Sequence, residues 1–258
     1  MSKVFAIASQ KGGVGKTTST INLAGALIHM GKKVLIVDMD PQCSTIFGVG
    51  LKKDNVLSGV YDILKGRTKA QFVVHLTSFA KLDLIPFGSF KNTDHKKLYN
   101  LDEGESKHFA TEIANISQKY DYILLDCPPG SGPLTRLALE VSDSLIIPLQ
   151  CEPLALKTLP ELLKLIRSIK SVNPDLRLEG ILLTQYERSS PISKEVLQQV
   201  VNNFPQNTVI EIIIPYDESF STSFKFGKPL TIDDNYTPGA AAYRMLADEI
   251  MKNSIRKN

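Results

Sequence analysis

Seven consecutive residues near the start of the chain, Lys11-Gly12-Gly13-Val14-Gly15-Lys16-Thr17, combine bare main chain with cations. That is what holding a polyphosphate demands. Backbone N–H groups grip phosphate oxygens only where side chains stand aside, and Gly12, Gly13 and Gly15 allow that approach and the φ values it needs. A helix starting near Lys16 would turn its positive dipole end toward the phosphates. Lys16 would bring its ammonium to the β- and γ-phosphates, and the Thr17 hydroxyl would ligate Mg²⁺. The commoner spacing G-x-x-x-x-G-K-[ST] is not met, because Gln10 fills its first glycine slot and a second lysine, Lys11, follows. By chance, K-G-G-x-G-K-[ST] arises in fewer than roughly one in 10⁴ chains of this length.

Two apolar runs end in aspartate. Val34–Val37 leads into Asp38-Met39-Asp40-Pro41-Gln42, and Tyr122–Leu125 into Asp126-Cys127-Pro128-Pro129-Gly130. Open α/β sheets bind ligands at the carboxyl ends of their strands, so these carboxylates belong beside the glycine loop. Asp126 is expected to hold Mg²⁺ directly or through water. Hydrolysis also needs a group that orients or deprotonates water. Asp40 is assigned that task and Asp38 the metal or the strand end, the reversed assignment being the alternative. The segment Asp126–Gly130 reads as a switch that registers the γ-phosphate.

These residues must be positioned by alternating strands and helices. Val4–Ser9, Val34–Val37, Leu82–Pro86, Tyr122–Asp126, Ser144–Leu149, Leu178–Thr184 and Val209–Ile214 read as strands. Helices are expected at Lys16–Met30, closed by Gly31, and near Lys107–Lys119, Leu134–Val141, Leu156–Val172, Ser193–Asn203 and Gly239–Asn253. Continuous apolar strands alternating with helices predict an α/β fold, a mostly parallel twisted sheet covered on both faces. Residues 1–253 read as one domain and 254–258 as a basic C-terminal tail; the polar stretch Ser89–Ser106 is the longest expected loop.

Composition narrows the function classes. The 258 residues are 43% hydrophobic and 22% charged, ordinary for a globular domain, and the net charge is 30 − 27 = +3. So small an excess neither demands nor forbids a nucleic-acid partner. Cys43, Cys127 and Cys151 lie far apart with no C-x-x-C pair, which argues against zinc and iron–sulfur clusters and for reduced thiols. No stretch of about 18 apolar residues exists to span a bilayer. A cytoplasmic protein is expected.

The motifs KGGVGKTT, VDMDPQ and LLDCPP occur in the order and at the intervals of the ParA/MinD family of deviant Walker ATPases. The sequence most resembles the compact, Soj-like ParA type. The segments PLQCEPLALKTLPELL, ILLTQY, FGKPL and TPGAAAYRMLADEI extend the likeness over essentially the whole chain. No helix-turn-helix extension precedes the first strand, so longer operator-binding partition proteins fit less well.

The resemblance implies a single-domain P-loop NTPase that uses ATP and Mg²⁺. It places ATP on Lys11, Gly12, Gly13, Val14, Gly15, Lys16, Thr17, Thr18 and Pro215, with Lys11, Lys16 and Asp40 catalytic and Thr17, Asp126 and Asp38 toward the metal. Two ATP-loaded subunits would form a face-to-face homodimer in which Lys11 reaches the partner's phosphates, as an arginine finger does. Hydrolysis would be slow and stimulated by a ParB-like partner. The ATP dimer would bind DNA non-specifically and associate with the nucleoid. For DNA, Arg188 matches one basic position of the family. Many relatives carry arginines after Ile214-Pro215, where this chain has Tyr216-Asp217-Glu218-Ser219-Phe220 followed by Lys225 and Lys228. Fewer cations mean weaker phosphate neutralisation. Lys164, Arg167 and Lys170, spaced by threes, could compensate, although the same spacing describes a solvated helix face.

Rival expectations are a MinD-like positioning ATPase at a membrane, a partition-type ATPase for a cell pole or protein array, and a metabolic ligase of the dethiobiotin synthetase type. The first needs an amphipathic C-terminal anchor, but MKNSIRKN offers only Met251 and Ile255 as bulky apolar residues, so no stable membrane anchor is expected. The ligase needs an acceptor pocket, and none is identifiable. The cysteine spacing excludes a reductase like the nitrogenase iron protein.

Overall fold

The structure, a computed structural model, describes residues 2–88, 101–233 and 236–256. Seven strands form one sheet in the order β3-β4-β2-β5-β1-β6-β7. They are β1 (Lys3–Ile7), β2 (Val34–Asp38), β3 (His75–Leu76), β4 (Leu82–Ile85), β5 (Tyr122–Asp126), β6 (Ser144–Gln150) and β7 (Arg177–Thr184). All pairs are parallel except β3 with β4. β2 and β5 are buried at every position, as continuous apolar runs between two helical layers must be.

The helices are α1 (Lys16–His29), α2 (Thr45–Gly48), α3 (Val60–Leu64), α4 (Glu103–Ser117), α5 (Pro133–Glu140), α6 (Pro153–Ile169), α7 (Pro191–Asn203), α8 (Ser219–Lys225) and α9 (Pro238–Arg256). Gly31 closes α1 with φ 84°, the left-handed C-terminal residue expected there. α9 runs on to Arg256, into the basic end of the chain.

Two expectations need correction. Val209–Ile214 is not a strand: it touches the sheet edge through bridges at Ile181–Val209 and Tyr186–Pro215 only. Ile210 and Ile214 donate to β7 carbonyls, while the residues between them leave the ladder. In the stretch Ser89–Ser106, residues 89–100 lie outside the described residues. Its end is helical, because Asp102 caps α4 by accepting from the Glu105 N–H at 2.8 Å. The short elements β3, α2, α3 and α8 carried too few residues for a period to be read.

α1 is the pivot of the molecule, with α9 packed along it and the segment 229–232 laid across its outer face. At Gly25 this packing leaves no room for a side chain. A Cβ would sit 2.7 Å from the Pro229 Cβ and closer still to the Thr231 hydroxyl, which is itself bonded to the Asn22 carbonyl at 2.8 Å. A proline ring and a hydrogen-bonded, fully buried threonine yield poorly. Gly25→Ala is therefore expected to lower the unfolding free energy by about 1–3 kcal/mol in urea titration, despite alanine's better helix propensity. An unchanged or raised midpoint would show that the segment yields freely.

Candidate functional site

Three parallel strands bring the motifs together. In register, Ile7 of β1 stands opposite Asp126 of β5, which stands opposite Asp38 of β2. The glycine loop leaves β1 at the same level and folds over these ends into α1. Gly13 and Gly15 take φ values of 77° and 89°, the left-handed region where a Cβ would clash. At Gly12 a Cβ would meet nothing within 4 Å, so the surface the loop presents there is open.

Lys16 lies beneath the loop, and its Nζ donates to the Lys11 carbonyl at 3.1 Å. Burial pulls its pKa down, opposed first by the charge of Asp126 and further by that of Asp40. The Thr17 hydroxyl donates to Asp126 Oδ2 at 2.7 Å, and the Thr20 hydroxyl reaches Asp126 Oδ1 at 3.1 Å. Both oxygens of the buried Asp126 carboxylate thus have a donor from α1. Sequence reasoning missed Thr20, although a residue three after Thr17 on a helix shares its face.

Of the two places expected for Asp38, the metal or the strand end, its hydrogen bonds are those of the strand end. Asp38 is fully buried; Oδ1 accepts from the Asp40 N–H at 2.9 Å, and Oδ2 accepts from the Thr45 N–H at 3.2 Å and from the Thr45 hydroxyl. Its carboxylate is spent on shaping the turn into α2. That turn aims Asp40, whose Oδ1 accepts from the Gln42 N–H at 2.9 Å and whose side chain stays half-buried at the loop's mouth. Burial first, then the charge of Asp126, pushes the Asp38 pKa well up. Of the two carboxylates, Asp40 is the more accessible.

Beside the loop is a cavity of about 210 Å³, lined among others by Thr18, Thr184, Gln185, Pro215, Tyr216 and Phe220. Thr18 and Pro215, far apart in sequence, meet here. Gln185 (φ 53°), Tyr216 and Phe220 were missed, and nothing in their local pattern marks them. Among the described residues no group of three or more His, Cys, Asp or Glu side chains could hold a metal ion. The Thr17 hydroxyl and the single Asp126 carboxylate are a donor set that fits Mg²⁺, which keeps its waters and takes few carboxylates plus phosphate oxygens.

Lys11 does not project freely. Its Nζ lies 2.7 Å from Glu152 Oε2 and 3.3 Å from Gln150 Oε1. The basic residues assigned to DNA are dispersed: Arg188 and Lys225 are exposed, as are Lys164 and Arg167 on α6, while Lys228 is paired with Asp233 at 2.5 Å.

A glycine loop between the central parallel strand and a helix, tied through its threonine to an aspartate on the next strand, defines a P-loop nucleoside triphosphatase. The chain belongs to the ParA/MinD family of deviant Walker ATPases. Residues 2–178 match the AAA domain family. The chain is 37% identical over 257 residues to the chromosome partitioning protein ParA of Myxococcus xanthus, covering 99% of the chain and 90% of the relative. It is 38% identical over 254 residues to the sporulation initiation inhibitor protein Soj of Bacillus subtilis, covering 98% and 100%. Among solved structures, cobyrinic acid a,c-diamide synthase of Mycobacterium smegmatis, with a bound ATP analogue and magnesium, superposes with a TM-score of 0.85 at 28% identity, covering 100% of this chain and 98% of that one.

The buried Asp126 makes a prediction. Burial raises its pKa from 3.8 to about 6 against the hydrogen bonds from Thr17 and Thr20 and the charge of Lys16. A carboxyl that holds its proton more tightly when folded costs stability as pH rises from about 4 to about 6, and the full cost persists above. Without nucleotide or divalent cation, Asp126→Asn should therefore melt above the wild type at pH 7.5, the gap closing as pH falls toward 4. A variant that melts lower at pH 7.5 would mean that the ionised carboxylate stabilises the fold.

Proposed function

We propose that this chain is an ATP-dependent molecular switch that dimerises on ATP, hydrolyses it, and uses the cycle to partition or position DNA, chromosomal or plasmid. The convergence of Lys16, Thr17, Asp126 and Asp40 on one glycine loop carries the reading. In it, the main chain of residues 12–17 cradles the triphosphate and Lys16 offsets its charge. Mg²⁺ at Thr17 and Asp126 supplies further neutralisation of the β- and γ-phosphates. Asp40 orients the attacking water, and Asp38 holds the turn that aims Asp40. Thr18 and Pro215 border the nucleoside. Lys11 acts across a face-to-face dimer, so that assembly depends on the γ-phosphate. Turnover is slow until a ParB-like partner stimulates it.

Non-specific DNA binding by the dimer would draw on Arg188, Lys164, Arg167 and Lys225, with Lys228 weakened by its pairing to Asp233. That pairing and the acidic Asp217-Glu218 favour a second reading, in which the cargo is a protein array or pole marker. Docking on a membrane finds less support. On α9, Tyr243, Leu246 and Ile250 are buried, and Met251 packs against the core instead of facing outward. No described helix is long and apolar enough to cross a bilayer.

Lys11→Ala should abolish the ATP-dependent dimer in light scattering while the monomer still binds MgATP in calorimetry; a dimer that persists would remove the lysine from the interface. Asp40→Ala should bind ATP and dimerise but turn over at least ~10²-fold more slowly, the scale of a lost base or water-orienting group. Near-normal turnover would shift the role elsewhere. In gel-shift assays across a salt series, DNA retention that falls steeply with salt is expected with ATP only. Retention in neither nucleotide state would move the cargo away from DNA.

A further inference from the structure

Lys11 is caught in a closed polar clasp that no motif announces. Three residues build it at the carboxyl ends of neighbouring strands: Gln150 ends β6, Glu152 precedes α6, and Gln185 follows β7. Lys11 Nζ donates to Glu152 Oε2 at 2.7 Å and to Gln150 Oε1 at 3.3 Å. The Gln150 amide nitrogen donates to Glu152 Oε1 at 2.8 Å and to Gln185 Oε1 at 3.1 Å. The Gln185 amide nitrogen donates in turn to the Gly13 carbonyl at 2.7 Å.

Donor chemistry fixes each orientation. An ammonium can only donate, so Gln150 must turn its oxygen to Lys11 and its NH₂ to the two remaining acceptors. Gln185 must then present oxygen to Gln150 and nitrogen to the Gly13 carbonyl. The chain of bonds therefore begins on the Lys11 side chain and ends on the main chain of the same loop. It also passes through Gln185, which lines the cavity beside the loop. The neighbouring Gln10 is held to α6 as well, through Glu161.

Resting on the reading that Lys11 acts in trans, we infer that Glu152, braced by Gln150 and Gln185, retains Lys11 in cis and competes with the partner's nucleotide for it. The clasp sets the threshold for assembly. A carboxylate 2.7 Å from the ammonium cancels the positive charge that a neighbour's phosphates would need, and a carboxylate beside a triphosphate adds repulsion. The pair is partly exposed, with side-chain accessibilities of 26% and 48%, so it holds weakly and a triphosphate with several charges outcompetes it. Gln185 ties the clasp to the cavity, so an occupant that moves this side chain loosens Gln150 and with it Lys11.

The test is the dimerisation constant of the full chain, measured by sedimentation with MgATPγS and with MgADP, for wild type, Glu152→Gln and Lys11→Ala. Glu152 makes no side-chain cap to α6, so its replacement leaves the helix start intact. Glu152→Gln is expected to tighten the ATPγS dimer about fivefold, ~0.5 kcal/mol for each of the two partly exposed ion pairs that a symmetric dimer breaks. A dimer of unchanged or lower affinity in Glu152→Gln, with none in Lys11→Ala, overturns the clasp and leaves the trans lysine standing. A dimer that survives Lys11→Ala overturns the trans lysine and the clasp with it.

Discussion

Everything at this site depends on three strand ends being level. Parallel pairing of β1, β5 and β2 fixes Ile7, Asp126 and Asp38 in one row, and the loop that leaves β1 has nowhere to go but across that row. The arrangement puts two carboxylates side by side in a buried setting, which electrostatics alone would forbid. The fold tolerates them because their oxygens receive donors from outside the sheet: Thr17 and Thr20 for Asp126, Thr45 and the Asp40 N–H for Asp38. Lys16 adds a cation close by. Shift one strand by a residue and the donors face the wrong side chains.

That requirement also separates the roles of two aspartates which look equivalent in the sequence. Asp38 and Asp40 are two apart, of the same type, and both end the same apolar run. Alternation along an extended chain would send both to one face, but β2 ends at Asp38, held opposite Asp126, and the chain turns before Asp40. Once inside, Asp38 accepts three hydrogen bonds from its own turn. Asp40 is left outside, half-buried, with its backbone N–H anchored to the residue that went in. The sequence alone could not decide between them, because the choice is made by β5 across the sheet.

Legibility follows locality. The central strands, α1 with its closing Gly31, and the glycine loop were readable, since glycines, a terminal lysine–threonine pair and apolar runs act within a few residues. Val209–Ile214 reads as a strand from its β-branched residues, yet at the sheet's edge only its two ends find partners. Thr18 and Pro215 meet at one cavity only because α1 and the end of that irregular segment converge. Gln185, Tyr216 and Phe220 join them there without any local signature. Chemistry-bearing residues were visible where backbone geometry demands a residue type, and invisible where tertiary packing alone recruits them.

The cavity and the row of strand ends are also mechanically continuous. Phe220 of α8 meets Tyr243 of α9 edge-on at 5.6 Å between ring centres, and the Tyr243 hydroxyl pairs with Ser19 of α1 at 2.8 Å. One turn further along α8, Phe224 lies where a Cβ on Gly48 of α2 would touch it, and α2 begins with Thr45, which donates to Asp38. A side chain wedged against Phe220 therefore pushes on a helix that bears on α1 and α2 together. Packed interiors transmit displacement instead of absorbing it. A base held in the cavity and a water held by Asp40 would thus feel one another through rigid contacts, without any jointed domain.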